Sequence, residues 1–204
     1  MESRSAASRA PTGGARHDRA VSEDAGHTFT PPSVEPGVVV ASGRTASGLR
    51  VDLAGYDESR RVETPSEYEA WPEGVLQMPP HSARLLVVVT DGEGVAAVAG
   101  AVSWHQEAYG PTQGSFAWNI GIGLTPSCQG HGVGTVAQRM LAEWLLATTP
   151  LVRVEASTDV DNVVEQRSLE KAGFTREGLL RQAQARADGQ HDLYSYSILR
   201  SDLP

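Results

Sequence analysis

The stretch QGHGVG, Gln129 to Gly134, carries the residue types that bind a phosphate group. Glycines leave backbone amides uncovered and tolerate backbone angles that other residues avoid. A short apolar run precedes the stretch, and apolar side chains recur at helical spacing after it. A helix that begins at such a loop adds unpaired amides and the positive end of its dipole. The segment therefore predicts a site for a phosphate-bearing ligand.

Two other kinds of phosphate loop compete with this interpretation. A P-loop needs a lysine after its last glycine. The chain's only lysine, Lys171, lies far downstream, so a P-loop is excluded. Gly132, Gly134 and Ala137 satisfy the dinucleotide pattern G-x-G-x-x-A, and Glu155 follows at about the spacing of a ribose-binding acid. Against that pattern, residues 125–129 separate the apolar run from the glycines. A dinucleotide oxidoreductase remains a third hypothesis.

The segment Gln129 to Gly134 resembles the Q/R-x-x-G-x-G/A signature of the GNAT acetyltransferase superfamily. Asn162, the EKAGF run at 170–174, the EG pair at 177–178 and the DGQ run at 188–190 match in order and spacing. Together they resemble the branch that acetylates ribosomal protein N-termini and its relatives that acetylate small amines. The resemblance implies an α/β GNAT fold. Its central mixed, mostly antiparallel sheet has about six to seven strands, splays into a V and is flanked by helices.

The resemblance also implies acetyl-CoA as co-substrate and no metal. The pyrophosphate would lie on the loop, and the pantetheine arm would pair with free backbone of two splayed strands, as a peptide does when it adds to a sheet edge. Asn162 is also a favoured helix N-cap. His131 is expected to take part through its backbone only, with its side chain standing beside the phosphate. The expected cofactor-binding residues are Ile122, Leu124, Gln129, Gly130, His131, Gly132, Val133, Gly134, Thr135 and Asn162.

Three residues are candidates for the catalytic positions. Asn119 stands where many relatives carry an acid, but an amide cannot act as a base. Glu165 replaces the usual serine of the branch and is a candidate substitute base. Glu155 points toward the site only if the register of its strand suits. Cys128 lacks evident activation as a nucleophile, so direct attack in a ternary complex is expected.

The elements around the loop follow from pattern. Runs at 84–90 and 95–104, joined by DGEG, predict a hairpin, and 115–124 predicts a third antiparallel strand. The run at 151–156 follows a helix and is expected to lie parallel to the strand before the loop. In that helix Gln138, Arg139 and Glu143 are expected on the solvent face.

Segment 57–70 is expected to be helical and to cover the acceptor site. Helices at this place do so in the resembling family. Tyr56, Tyr68 and Trp71 are therefore candidate acceptor contacts, although packing between a small helix and the sheet is the commoner role of aromatic residues in such a place.

Composition limits the functional classes. The net charge of −8 argues against nucleic acid or an anionic membrane as the main partner. One cysteine permits no internal disulfide, which suits the cytoplasm, and no run reaches the roughly 18 apolar residues of a membrane helix. Of 17 basic lysine and arginine residues only one is lysine, which suggests a high-GC bacterial genome. Residues 1–36 are predicted to be a disordered tail and 37–204 the GNAT domain.

The sequence thus predicts an N-acetyltransferase that uses acetyl-CoA to acetylate a primary amine. The acceptor is either a protein N-terminus or a small amine such as an antibiotic, amino acid or polyamine, and a homodimer is an option. The acidic balance of the chain favours a cationic acceptor. The alternative is a catalytically weak module that senses acyl-CoA, because no catalytic residue of the family transfers cleanly.

Overall fold

The computed structural model describes residues 32–69, 71 and 82–204. These residues form one eight-stranded sheet with the strand order β1-β2-β3-β4-β5-β6-β8-β7. The strands are β1 (Val39–Arg44), β2 (Arg50–Gly55), β3 (Ala83–Thr90), β4 (Ala96–Ala108), β5 (Phe116–Leu124), β6 (Arg153–Asp159), β7 (Thr175–Arg186) and β8 (Gly189–Leu199). The helices are α1 (Val133–Thr148) and α2 (Val163–Lys171). The expected α/β fold with a mixed, mostly antiparallel sheet is confirmed, with one strand more than the six to seven expected.

The hairpin of β3 and β4 forms where the sequence predicts it. Asp91 Oδ1 accepts hydrogen bonds from the backbone amides of Glu93 and Val95, at 2.9 and 2.8 Å. Gly94 has a φ of +84°, which favours glycine. This turn fixes the register that pairs β3 with β4, and β4 in turn pairs antiparallel with β5. The three expected antiparallel neighbours are confirmed.

Strands β5 and β6 run parallel and then separate. Their pairing is confined to Trp118 with Val154 and Asn119 with Glu155. Beyond that point β5 continues to Leu124 and β6 to Asp159 without pairing to each other. The facing backbone groups of the two strand ends are therefore available to a ligand, and the expected V-shaped splay is present.

One face of the sheet is covered by the larger hydrophobic core. Helix α1 packs there on a core that includes Trp104, Trp118, Leu141 and Val154. On the opposite face the strands alternate to present a smaller apolar cluster of Ala54, Leu86 and Val88, with Tyr56 and Val98 against it. On this second side β5 presents the polar Asn119 and then Gly121 and Gly123, which have no side chain. Neither helix of the described residues packs on this second face, which we call the open face.

Two local expectations are wrong. Segment 57–70 is not one helix: its described part forms two 3₁₀ turns, Glu58–Arg60 and Glu67–Glu69, and Pro65 lies in the non-helical stretch between them. Gln138 is not on the solvent face of α1, because its side chain is 2% exposed and packs toward α2. The periodicity of the sequence predicts which side of α1 packs on the sheet. It contains no information about α2, which covers another side of α1.

The predicted tail, residues 1–36, lies mostly outside the described residues. Within the described part, Val34 packs on the core and the amide of Gly37 donates to the carbonyl of Gly55 at 2.9 Å. The boundary at residue 37 stays a prediction. Across the described ranges, neither helix is both long and apolar enough to cross a bilayer.

Candidate functional site

The glycine-rich loop and the N-terminus of α1 form the first part of the site. Gly130 and Gly132 have φ angles of +75° and +78°, which turn the chain so that Gly132 is the N-cap of α1. No side chain caps this helix end, so its first amides keep their hydrogen-bonding capacity. The loop is held to β5 by Gln129, whose Nε2 donates to the carbonyl of Leu124 at 3.1 Å. The arrangement offers amides and a helix dipole to an anion.

A cleft of about 280 Å³ opens beside this loop, between α1, α2 and the end of β5. Seven of the ten expected cofactor-binding residues line it: Ile122, Leu124, Gln129, Gly130, Gly132, Gly134 and Thr135. Asn162 lines the neighbouring cavity instead. His131 is exposed, and Val133 is 1% exposed in the core, so neither lines this first cavity.

Helix α2 contributes residues that the sequence did not single out. Arg167, Ser168 and Lys171 line the first cavity. The signal was the i, i+4 spacing of Arg167 and Lys171 on a helix that follows Asn162. Asn162 caps this helix by accepting a hydrogen bond from the amide of Glu165 at 3.2 Å. Two cations therefore face the glycine loop across the cleft.

A second cavity, of about 170 Å³, lies between the splayed ends of β5 and β6. Ile120 to Gly123 line it from one strand and Ala156 to Asp159 from the other, together with Asn162 and Tyr68. Ile122 and Glu165 line both this cavity and the first. The two cavities thus adjoin, and together they form a passage from the glycine loop to the gap between β5 and β6.

Glu165 is the carboxylate at the junction of these cavities. Its carboxylate accepts a hydrogen bond from Nε2 of Gln138, whose Oε1 accepts one from Ser168 Oγ at 3.0 Å. Burial raises the pKa of Glu165 to about 7, and the hydrogen bond from Gln138 opposes that rise. A carboxyl group in this state can exchange a proton near neutral pH.

A third cavity, of about 540 Å³, lies on the open face of the sheet. It shares Thr64, Trp71 and the segment Gly121–Gly123 with the second cavity. A Cβ built on Gly123 would be 2.6 Å from Oγ1 of Thr64, so the absence of a side chain there lets the 61–65 segment lie directly on β5. Of the candidate acceptor contacts, Tyr56 and Trp71 line the third cavity, and Tyr68 and Trp71 the second.

Asn119 and Glu155 lie at the root of the splay, on the open face. Glu155 is 4% exposed, and its carboxylate accepts hydrogen bonds from Tyr109 Oη at 2.7 Å, Arg153 Nε at 3.0 Å and Asn119 Nδ2 at 3.5 Å. Burial and this contact with Glu155 raise the pKa of Tyr109 to about 12. Neither Asn119 nor Glu155 lines any of the three cavities. Their catalytic role stays a prediction.

An ion pair closes the far side of the second cavity. Nη1 of Arg186 lies 2.7 Å from Oδ2 of Asp159, and the two side chains are 4% and 2% exposed. His191 Nδ1 lies 3.1 Å from the same oxygen, and Tyr68 packs against the guanidinium, with its ring centroid 5.7 Å away. Both charges are compensated, which makes this wall rigid and almost neutral. In the part of the chain that is described, no cluster of three or more His, Cys, Asp or Glu side chains offers a metal site.

Comparison with known proteins agrees with this arrangement. A family model described as an acetyltransferase (GNAT) domain matches residues 50–175. A Bacillus subtilis protein named probable N-acetyltransferase YjcK is 37% identical over 82 residues, which are 40% of this chain and 44% of that relative. The chain therefore matches less than half the length of this curated relative.

The fold is also found in a solved structure. RimJ of Mycobacterium smegmatis, solved in complex with CoA-disulfide, superposes with a TM-score of 0.60 over 81% of this chain and 89% of RimJ, at 22% identity. A GNAT-family acetyltransferase from Bacillus anthracis gives a TM-score of 0.49 over 58% of this chain and 66% of its own, at 23% identity. Because the family model covers more than half of the 204 residues, the chain belongs to the GNAT acetyltransferase family.

Proposed function

We propose that this chain is an N-acetyltransferase that transfers the acetyl group of acetyl-CoA to a primary amine in a ternary complex. The observation that carries the proposal is the position of Glu165, which lines both the cavity beside the glycine loop and the cavity between the splayed strands. RimJ of Mycobacterium smegmatis, which shares the fold, is solved with a CoA derivative. The acceptor is a small amine or a protein N-terminus.

The first cavity fits the phosphate end of acetyl-CoA. The backbone of Gly130 to Gly134 and the first turn of α1 would hold the pyrophosphate, and Arg167 and Lys171 would add opposite charge. The unpaired backbone of β5 and β6 beyond Asn119 and Glu155 would pair with the amides of the pantetheine arm. This route directs the thioester into the second cavity, next to Glu165.

In this geometry Glu165 moves the proton of the reaction. The amine nitrogen forms a bond to the acetyl carbon while the carbon–sulfur bond breaks, and the sulfur keeps the electron pair. Glu165 accepts the proton that the nitrogen releases, directly or through one water, and returns it to the sulfur, so that free thiol leaves. A pKa of about 7 suits both halves of this exchange. The cavities supply positioning, which contributes much of the acceleration.

Thiol release from acetyl-CoA, measured against a panel of small amines and N-terminal peptides, tests the proposal. We expect turnover with at least one amine class, and its loss in the variants Glu165→Gln and Gly132→Glu for different reasons. Glu165→Gln should still bind acetyl-CoA, whereas Gly132→Glu should not. If acetyl-CoA binds and no amine turns over, the chain is an acyl-CoA-binding module. If acetyl-CoA does not bind at all, the assignment of the first cavity is wrong.

A further inference from the structure

We propose that the third cavity selects an amine acceptor that carries a carboxylate about 10 Å from its reacting nitrogen, with Arg84 as the partner of that carboxylate. The inference rests on the proposed acetyl transfer and names the substrate class that this site takes. It concerns the open face of the sheet, beyond the segment Gly121–Gly123 where the second and third cavities meet.

The register of three strands places Arg84 in line with the thioester end of the passage. Arg84 of β3 pairs with Ser103 of β4, and Ser103 pairs with Gly121 of β5. Residues paired in this way present their side chains on one face of the sheet. Arg84, Ser103 and Gly121 therefore form a row that crosses the open face at right angles to the strands, and all three line the third cavity.

Along this row the side chains are small near Gly121, where the acetyl transfer is proposed, and long at Arg84. Gly121 has no side chain, and a Cβ there would be 3.1 Å from Ser103 Oγ, so the floor between them is filled by one small hydroxyl. Gly100, Ala101 and Gly123 keep the neighbouring rows equally shallow. An extended ligand can lie along this groove, and the first long side chain that it meets on β3 is an arginine.

Arg84 has a charge that the described residues leave uncompensated. Its guanidinium lies 5.9 Å from the ring centroid of Tyr56, and no carboxylate or hydrogen-bond acceptor among the described residues is paired with it. Among the described residues that line the third cavity, the ionisable ones are Arg61, Glu63, Arg84 and Tyr56, and together they give one net positive charge at neutral pH. Arg61 also lies 3.5 Å from Glu58, with both side chains largely exposed.

This local charge is opposite in sign to that of the whole chain, whose net charge of −8 favours a cationic acceptor. The groups that contact a substrate determine which charge the substrate can carry. The positive charge of the cavity is therefore a better guide to the acceptor than the net charge of the whole chain. An arginine fork is the donor that suits a carboxylate, through two parallel hydrogen bonds.

The register also sets the length of the acceptor. Two strand spacings of about 4.8 Å separate the Cα atoms of Arg84 and Gly121, which gives about 10 Å. Tyr56 follows β2, on the side of β3 away from Gly121, so the stacked guanidinium does not lean back toward the reaction. Three extended peptide residues span about 10 Å. A free α-amino acid is too short, and a short peptide or an amine of similar reach fits.

Oligoglycines of one to four residues, each as free acid and as C-terminal amide, test the proposal through kcat/KM for thiol release. We expect a preference for the free acid of about tenfold, greatest at three residues, because only the free acid offers a carboxylate that can accept charge-assisted hydrogen bonds from the guanidinium. Arg84→Gln should abolish this preference by raising KM with little change in kcat, and Arg84→Lys should keep part of it. The control Arg181→Gln, at an exposed β7 position outside the three cavities, should leave it intact.

Equal turnover of acid and amide at every length would overturn the proposal, as would an unchanged ratio in Arg84→Gln. Turnover of other primary amines without any of the oligoglycines would overturn it too, while acetyl transfer itself would stand. If no amine of any kind is acetylated, the proposed function fails, and the acceptor class falls with it.

Discussion

The side-chain amide of Gln138, in the middle of α1, donates a hydrogen bond to the carboxylate of Glu165, in the first turn of α2. Gln138 is 2% exposed, and its carbonyl oxygen accepts from Ser168, which lies one turn further along α2. The amide therefore fixes the second helix against the first and holds the Glu165 carboxylate at the boundary of two cavities. The chemistry assigned to Glu165 depends on this contact.

The variant Glu165→Gln should lose most of the acetyl transfer activity while keeping its affinity for acetyl-CoA. Loss of a positioned acid–base group costs about 10²–10⁴-fold in rate, and the amide that replaces it preserves shape. Initial rates of thiol release and calorimetric titration with acetyl-CoA measure the two effects separately. Glu170→Gln is the matched control, because Glu170 is exposed on the same helix and lines none of the three cavities. Equal activity of both variants would contradict the role of Glu165.

The activity should show an ionisation near pH 7. Burial raises the pKa of Glu165 to about 7, so the carboxylate form that accepts a proton increases as the pH rises through that value. A plot of kcat/KM against pH should rise up to about 7 in the wild type, and this step should be absent in Glu165→Gln. A step that persists in the variant would belong to another group.

The same ionisation should appear in the stability of the fold. Because the folded pKa of Glu165 lies above its unfolded value of 4.5, the folded state holds more protons between these two values, and stability decreases as the pH rises through this window. Glu165→Gln carries no such charge. The difference in Tm, variant minus wild type, should therefore be larger at pH 8 than at pH 5. A difference that does not depend on pH would contradict the raised pKa.

The variant Gln138→Leu should move the ionisation of Glu165 to higher pH. The hydrogen bond from Gln138 lowers the pKa of Glu165 against the effect of burial, and its loss leaves burial unopposed. The variant should also lose about 1–3 kcal/mol of stability, since two buried polar partners lose a hydrogen bond. Ser168→Ala is the control, because it removes the other partner of Gln138 and leaves the contact with Glu165. The pH–rate midpoint should shift in Gln138→Leu only.

The sequence predicted the features that depend on local pattern. The DGEG turn, the three antiparallel strands and the parallel strand after α1 are set by turn residues and by alternation, and each is present. The glycine loop was found because positive φ angles and exposed amides require glycine at fixed positions, as at Gly130 and Gly132. These requirements can be read without knowledge of what packs against them.

Features that depend on contacts between distant segments could not be predicted in the same way. Gln138 looks solvent-exposed on a helical wheel because the wheel does not include α2, which covers that side of α1. The row from Arg84 to Gly121 depends on two strand registers, and a shift of one residue in either would move Arg84 to the other face. Segment 57–70 has helical composition, but its contact with Gly123 through Thr64 holds it as extended chain and short turns.

The variant Gly132→Glu should abolish binding of acetyl-CoA. Gly132 has a φ of +78°, so any side chain adds strain of about 1–2 kcal/mol, and a carboxylate at the N-terminus of α1 repels phosphate. Calorimetric titration with CoA should show an increase in Kd of at least about 100-fold, equal to about 2.8 kcal/mol. Gly178→Glu is the control, because a side chain at that β7 position would meet open space. Comparable binding by both variants would show that the phosphate lies elsewhere.

The variant Arg186→Met should destabilise the fold strongly, because it leaves Asp159 charged and buried. The pair has side-chain exposures of 4% and 2%, and removal of one partner of such a pair costs about 3–5 kcal/mol. His191 and the amide of Asp161 still contact Asp159 but do not replace the buried guanidinium. Urea denaturation should show the loss, and the double variant Asp159→Asn/Arg186→Met should recover part of it, since no unpaired charge remains.

The control is Arg61→Met, which breaks a pair with exposures of 57% and 71% and should cost no more than about 1 kcal/mol. If Arg186→Met costs as little as Arg61→Met, water reaches Asp159, and the far wall of the second cavity is not the rigid, almost neutral surface inferred from its contacts.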